Sequence, residues 1–198
     1  MNRVVLHTPG WDHDLSCEHA DPPVPGPGHL RVRLQASGVC HRDLIDREGR
    51  IPFLSPPVVP GHEGVGIVEA VGEGVVGWSV GDRVASMHRD ACGDCGACKR
   101  GDTSTCMVAA HVFGLTADGT YARWLVAPES AFYAVPPGLS ASMAAVLHCT
   151  FGTAWRAMVT VGGLQQGERV LITGANGGVG LAAVQIAARF ARRVVAVV

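Results

Sequence analysis

The sequence predicts a mostly β lobe followed by the opening of an alternating β/α domain of the dinucleotide-binding kind. Three observations carry that prediction. Short β-branched runs alternate with proline- and glycine-rich loops as far as Cys149. Within that stretch four cysteines, Cys92, Cys95, Cys98 and Cys106, crowd into one loop. Beyond Cys149 a strand run, a glycine turn and an alanine-rich helix follow one another, the order of a β/α crossover.

Length and composition agree with this. The 198 residues suffice for one large domain or for one domain and part of a second. Hydrophobic residues make up 47% and charged ones 17%, with 26 glycines and 12 prolines, which supports a turn-rich core and excludes wholesale disorder or a collagen repeat. The 16 basic and 17 acidic side chains leave a formal charge of −1, so no general field draws the chain to nucleic acid or to an anionic membrane. Met1–Leu6 is too short an apolar run for a signal peptide. Arg189, Arg192 and Arg193 break the apolar stretch from Val179 well short of the about 18 residues of a membrane span. A cytoplasmic protein with reduced thiols is expected, and its seven cysteines then point to metal or catalysis rather than to disulfides.

Taken in order, Asp21–Gly28 and Pro52–Pro60 each carry four prolines, so both are loops in which fixed φ angles and missing N–H groups prevent ladder pairing. Arg31–Gln35 alternates polar and apolar residues, and Gly64–Val71 and Arg83–Ala85 are β-branched runs bounded by Gly or Asp; all three are predicted strands. The texture changes between Pro137 and Cys149, which divides the chain into residues 1–145 and 146–198. Phe151–Leu164 then has helical spacing and Val170–Thr173 reads as a buried strand. Leu181–Ala191 is an alanine-rich helix stopped near Arg192 and Arg193, and Val194–Val198 is a second strand.

Between that strand and helix lies Gly174-Ala175-Asn176-Gly177-Gly178-Val179-Gly180. Backbone N–H groups at such a helix start can receive a pyrophosphate. The G-x-x-G-x-x-G spacing is one residue longer than the usual fingerprint, and a tight strand-to-helix turn is the alternative explanation.

The four cysteines are spaced C-x2-C-x2-C-x7-C, close enough to share one tetrahedral zinc ion that would hold a loop and, with its shell closed, perform no chemistry. Two disulfides or four thiols are the alternatives. Cys40, His62 and Cys149 are scattered along the chain, and three ligands with an open fourth position suit a catalytic zinc. Taken singly, the cysteines read as small buried hydrophobes and the histidine as a hydrogen-bonding loop residue.

The order of these motifs resembles the zinc-containing medium-chain dehydrogenase/reductase family, the alcohol dehydrogenases with a GroES-like catalytic lobe, over essentially the whole chain. The resemblance rests on Gly38-Val39-Cys40-His41-Arg42-Asp43, on Gly-His-Glu-Gly-Val-Gly at 61–66, on Val-Gly-Asp-Arg-Val at 80–84, on the four-cysteine loop, and on Cys149 with Thr153. It implies a GroES-like zinc-binding catalytic domain at 1–145 and a partial Rossmann nucleotide-binding domain at 146–198. It implies that Cys40, His62 and Cys149 bind a catalytic zinc, that Glu63 is an exchangeable ligand, and that Asp43 holds the ligand histidine by its far ring nitrogen. His41 is implied near the cofactor pyrophosphate and Thr153 beside the nicotinamide. The turn carrying Gly174, Gly177, Gly178, Val179 and Gly180 is similar to that of quinone reductase-like members. Two zinc ions per chain and NAD or NADP are the implied cofactors, and hydride transfer to or from a small alcohol or carbonyl substrate is the implied activity.

One position departs from the alcohol dehydrogenase pattern. Two residues after the zinc cysteine many of those enzymes carry Ser or Thr, whose hydroxyl relays the alcohol proton. Here stands Arg42, which has no acceptor. The Cys-x-Arg-Asp form resembles acryloyl-CoA and related enoyl-thioester reductases, which makes that reaction an alternative and places Arg42 beside an anionic substrate or enolate. A catalytically inert zinc-binding fragment is the other alternative. A complete dinucleotide domain has about six strands and two are legible before Val198, so a C-terminally truncated chain is expected, with the NAD/NADP discriminator outside it. The open sheet edge of such a chain favours self-association, a homo-oligomer, and poor turnover.

Overall fold

In a computed structural model, which describes residues 2–108 and 111–198, an antiparallel ribbon of β1 (Arg3–Val5) and β2 (Ser16–Glu18) precedes the main sheet. That sheet contains β3 (His29–Ser37), β4 (Gly64–Val71), β5 (Arg83–Ser86), β6 (Trp124–Pro128) and β7 (Phe132–Ala134). Its strands run antiparallel in the order β6-β3-β4-β5-β7. The predicted strands at 31–35, 64–71 and 83–85 lie within β3, β4 and β5. The other four were not predicted: β1, β2 and β7 have three residues each, and β6 ends on Pro128 at the edge of the sheet, where a missing N–H is tolerated.

β3 is long because both its neighbours pair with it. Leu30 and Val32 point inward between Arg31 and Arg33 and pack with Val68, Val84, Phe113 and Leu125 in one apolar core. Register shifts between Arg31 and Val32 and between Leu34 and Ala36 bend the strand. Among the described residues this unit also holds three short α-helices, α1 (His41–Arg47), α2 (Gly96–Lys99) within the cysteine loop, and α3 (Ala141–Ala145), and 3-10 turns at Thr103–Thr105 and Glu129–Ala131. The chain divides into two compact units, Met1–Ala145 and Val146–Val198.

The second unit opens with a helical run rather than with the regular helix predicted over 151–164. A π-wound turn, Leu147–Phe151, leads into α4 (Gly152–Trp155), and a second, Arg156–Val161, follows it. The sequence Val159-Thr160-Val161-Gly162-Gly163 explains the early stop, since β-branched residues and glycines disfavour a helix end-run of this kind. Then come β8 (Arg169–Thr173), α5 (Gly178–Phe190) and β9 (Arg193–Val197), with β8 and β9 paired in parallel, Arg169 opposite Arg193 and Thr173 opposite Val197. Alanines 182, 183 and 187 of α5 pack on Ile172 and Ala154, small side chains that let helix and strand approach. Among the described residues no helix is long and apolar enough to cross a membrane.

Candidate functional site

β3 runs out through Gly38 and Val39 to Cys40, which is extended (φ −100°, ψ 152°) and caps α1. Asp43, the third residue of α1, reaches back so that its Oδ2 accepts the Cys40 N–H at 2.8 Å. This satisfies one of the orphan donors at the helix start. The other oxygen, Oδ1, lies 3.1 Å from Nδ1 of His62. A carboxylate only accepts, so Nδ1 carries the hydrogen and Nε2 is the ring atom that could coordinate a metal. His62 is 1% exposed, and its Nε2 is buried without a hydrogen-bond partner. An orphan of this kind costs about 1–3 kcal/mol unless something meets it. Cys40 Sγ and a ring nitrogen of His62 lie within 4.8 Å of each other, a donor pair of the kind zinc takes.

The electrostatics agree. Burial opposes a charged His62, but the hydrogen bond to Asp43 and the neighbouring Cys40 raise its pKa to about 9. Burial likewise pushes the Asp43 carboxyl up, and His62, the Cys40 N–H and Tyr121 outweigh it and hold the group below its ordinary value. These contacts favour positive charge on the imidazole, and a metal ion at Nε2 would take the place of the proton there.

Glu63 is also buried at 1% exposure; its carbonyl accepts the Gly38 N–H at 2.8 Å and its Oε2 packs against Gly38. His41, the first residue of α1, is exposed to solvent. Arg42, expected beside an anionic substrate or enolate, makes two contacts within the lobe. Its Nε donates to Asp46 Oδ2 at 3.0 Å and its Nη2 to the Phe113 carbonyl at 2.6 Å. The guanidinium thus pairs a carboxylate that is 1% exposed. Tyr121 was not singled out from the sequence, yet its Oη donates to Asp43 Oδ2 at 2.8 Å across 78 residues of chain. No local pattern could have revealed so distant a partner.

The four-cysteine loop folds as its spacing requires. Cys95 caps α2 and its N–H points at Cys92 Sγ, 3.3 Å away. The sulfurs of Cys92 and Cys98, Cys95 and Cys98, Cys95 and Cys106, and Cys92 and Cys106 are 3.9, 3.5, 3.8 and 3.6 Å apart. Tetrahedral thiolates about 2.3 Å from a zinc ion would stand about 3.8 Å from one another, so the set fits that ion. None of the cysteines is in a disulfide. Burial and the adjacent Cys95 push the Cys98 thiol up to about 12, whereas the Cys98 backbone N–H lowers Cys95. Four sulfurs this close do not ionise together without a cation.

In the second unit Cys149 sits half-buried on the π-wound turn before α4, and Thr153 is exposed on α4. The glycine turn joins β8 to α5 with Gly177 as the cap and Gly178 and Val179 as the first helical residues. The Gly177 N–H bonds the Gly174 carbonyl at 3.1 Å. Gly180 is required by close approach, because a Cβ there would stand 2.2 Å from the Gly174 oxygen and 2.7 Å from the Ala175 Cα. Helix and strand meet here at a distance only glycine allows.

A family model described as Alcohol dehydrogenase GroES-like domain matches residues 26–137, a span that takes in β3, Cys40, His62 and all four loop cysteines. The chain belongs to that family. An acryloyl-coenzyme A reductase of Sulfurisphaera tokodaii is 34% identical over 199 residues, covering 100% of this chain and 58% of the reductase. An alcohol dehydrogenase of Moraxella sp. is 37% identical over 199 residues, covering 100% of this chain and 57% of its own length. The structure of a cobalt- and zinc-bound thermostable alcohol dehydrogenase from Pyrobaculum aerophilum matches with a TM-score of 0.87 at 34% identity, over 98% of this chain and 58% of that one. The GroES-like chain therefore spans a little over half the length of these relatives.

Proposed function

We propose that this chain is the zinc-binding catalytic domain (1–145) and the first part of the Rossmann-type nucleotide-binding domain (146–198) of a cytoplasmic oxidoreductase that moves hydride between NAD or NADP and a small alcohol or carbonyl compound. The observation that carries the reading is the buried, unpartnered Nε2 of His62 beside Cys40, with Asp43 fixing the opposite face of the ring. In this reading Cys40, His62 and Cys149 hold a catalytic zinc and Glu63 exchanges onto it, while Cys92, Cys95, Cys98 and Cys106 hold a structural zinc. Zinc, when bound, supplies a Lewis acid for the substrate oxygen, and the nicotinamide supplies the hydride acceptor. With the oxidised cofactor bound, hydride would pass from the alcohol carbon to the nicotinamide and the hydroxyl proton would leave to solvent, giving carbonyl and reduced cofactor. Gly174, Gly177, Gly178, Val179 and Gly180 would present backbone N–H groups to the pyrophosphate, and His41 and Thr153 would bind the cofactor. Arg42, tied to Asp46 and Phe113, offers no acceptor for the departing proton. A homo-oligomer is part of the same proposal.

Enoyl-thioester reduction is the second reading, favoured by the likeness to an acryloyl-coenzyme A reductase. The test pairs NAD+ or NADP+ with a panel of primary alcohols, and NADH or NADPH with acryloyl-CoA. In a chain extended to the full length of the relatives, alcohol oxidation that disappears in Cys40→Ser is the expected result. Thioester reduction without alcohol turnover would move the assignment to the second reading, and neither activity would leave a zinc-binding fragment.

A further inference from the structure

We propose that Tyr121 is a positioning residue for the metal centre, fixing the Asp43 carboxylate through its phenol and the loop that carries His62 through its backbone. The inference rests on the metal reading of Cys40 and His62 and gives a role to a residue outside their motifs.

Asp43 divides its two oxygens between different tasks. Oδ1 faces His62 Nδ1 at 3.1 Å, while Oδ2 accepts both the Cys40 N–H and the Tyr121 O–H, each at 2.8 Å. A carboxylate held at one oxygen by two donors cannot turn about its Cβ–Cγ bond without breaking both, so the other oxygen stays aimed at the histidine. Removing the phenol leaves a single donor on Oδ2 and frees that rotation. The orientation of a ligand imidazole is set by the acceptor behind it, so looseness in Asp43 becomes looseness in the direction of Nε2.

The second hold is on the loop. The Tyr121 N–H donates to the Pro60 carbonyl at 3.0 Å and the Thr120 N–H to the Gly61 carbonyl at 3.1 Å, immediately before His62. A Cβ on Gly61 would stand 2.6 Å from Tyr121 Cδ1 and 2.8 Å from Cε1, so glycine (φ +90°) is what lets the ring close against this backbone. The 120–121 segment is itself anchored, by Ser37 Oγ and Thr120 Oγ1 at 2.6 Å and by the Val4 N–H on the Tyr121 carbonyl at 2.8 Å. Tyr121 therefore ties the acceptor of His62 and the chain entering His62 to one rigid wall.

Tyr121→Phe deletes one oxygen and keeps the ring. In a zinc competition against a chromophoric chelator it should weaken the Cys40/His62 site by about tenfold, the low end of the effect typical for groups that orient metal ligands, and leave the four-cysteine site unchanged. With cobalt in place of zinc, the ligand-field bands of the Cys40/His62 ion should shift while those of the tetrathiolate ion stay fixed. Ser37→Ala, which cuts the bond to Thr120 without touching Asp43, should weaken the Cys40/His62 site less than Tyr121→Phe does and leave the four-cysteine site at wild type. Unchanged affinity and unshifted bands in Tyr121→Phe would overturn the inference. Loss of both ions together with a lower Tm would do the same, because the residue would then serve only the fold. A wild-type chain that loads metal at the four cysteines alone would overturn the metal reading itself and this inference with it, a failure visible before any variant is made.

Discussion

Arg42 commits its guanidinium to Asp46 and to the Phe113 carbonyl, and that fixes what its loss should do. Burial pushes the Asp46 carboxyl up and Arg42 opposes the shift, so the pair keeps a charge inside the lobe that would otherwise be unmatched. Arg42→Thr is expected to destabilise the first unit by about 1.5–3 kcal/mol, the range for hydrogen bonds to charged groups, as read from urea unfolding. Adding Asp46→Asn should recover part of that loss, because the uncompensated carboxylate goes with it. Unaltered stability together with a changed preference between alcohols and acryloyl-CoA would place Arg42 at the substrate. The Cys-x-Arg-Asp spelling alone could not decide this, since a side chain of that length reaches either way from the first turn of α1.

At the scale of elements, the β1–β2 ribbon makes a prediction about acid. His7, Ser16 and Arg3 hydrogen-bond the Glu18 carboxylate and lower its pKa from 4.5 to about 2. A depressed carboxylate stabilises the fold above its unfolded pKa and ceases to as pH falls through the folded one, so the ribbon should loosen between about pH 4.5 and about 2. A carboxyl NMR titration of Glu18 with its midpoint near 4.5 would contradict this. The β8–α5 turn makes another. Gly180→Ala must move backbone, because its nearest contacts are the Gly174 oxygen and the Ala175 Cα, and a cost of about 1–3 kcal/mol is expected. Faster amide exchange in β8 and α5 and weaker NAD(H) binding by calorimetry are the readouts; exchange like wild type would show that the turn relaxes freely. These elements also mark how far the sequence could be read. β3, β4, β5 and the β8-α5-β9 unit were legible because several residues of period two, or of helical spacing, repeat in each. Three-residue strands such as β1, β2 and β7 hold too little of a period to register, and their pairing is decided by partners far along the chain.

For the molecule as a whole, the two metal constellations differ in how they could be known. Cys92, Cys95, Cys98 and Cys106 are ligands within one loop, so spacing alone located them, and the structure sets their sulfurs at tetrahedral separations. Cys40 and His62 meet only because β3 and the Pro60–His62 loop end side by side, which motif resemblance anticipated and local periodicity did not. Tyr121, the third party to that meeting, left no trace in the sequence. The two sites should also respond differently to metal removal: chelation at the cysteine loop leaves four crowded sulfurs with no cation, so the segment around α2 should lose its amide protection, whereas the buried Asp43–His62 pair persists as a hydrogen-bonded unit. The most direct test of the account is the zinc content of the purified chain and two variants. Two ions per chain are expected, one lost in Cys95→Ser and the other in Cys40→Ser. A single ion that vanishes in Cys95→Ser and is untouched by Cys40→Ser would contradict the catalytic metal site and, with it, the proposed chemistry.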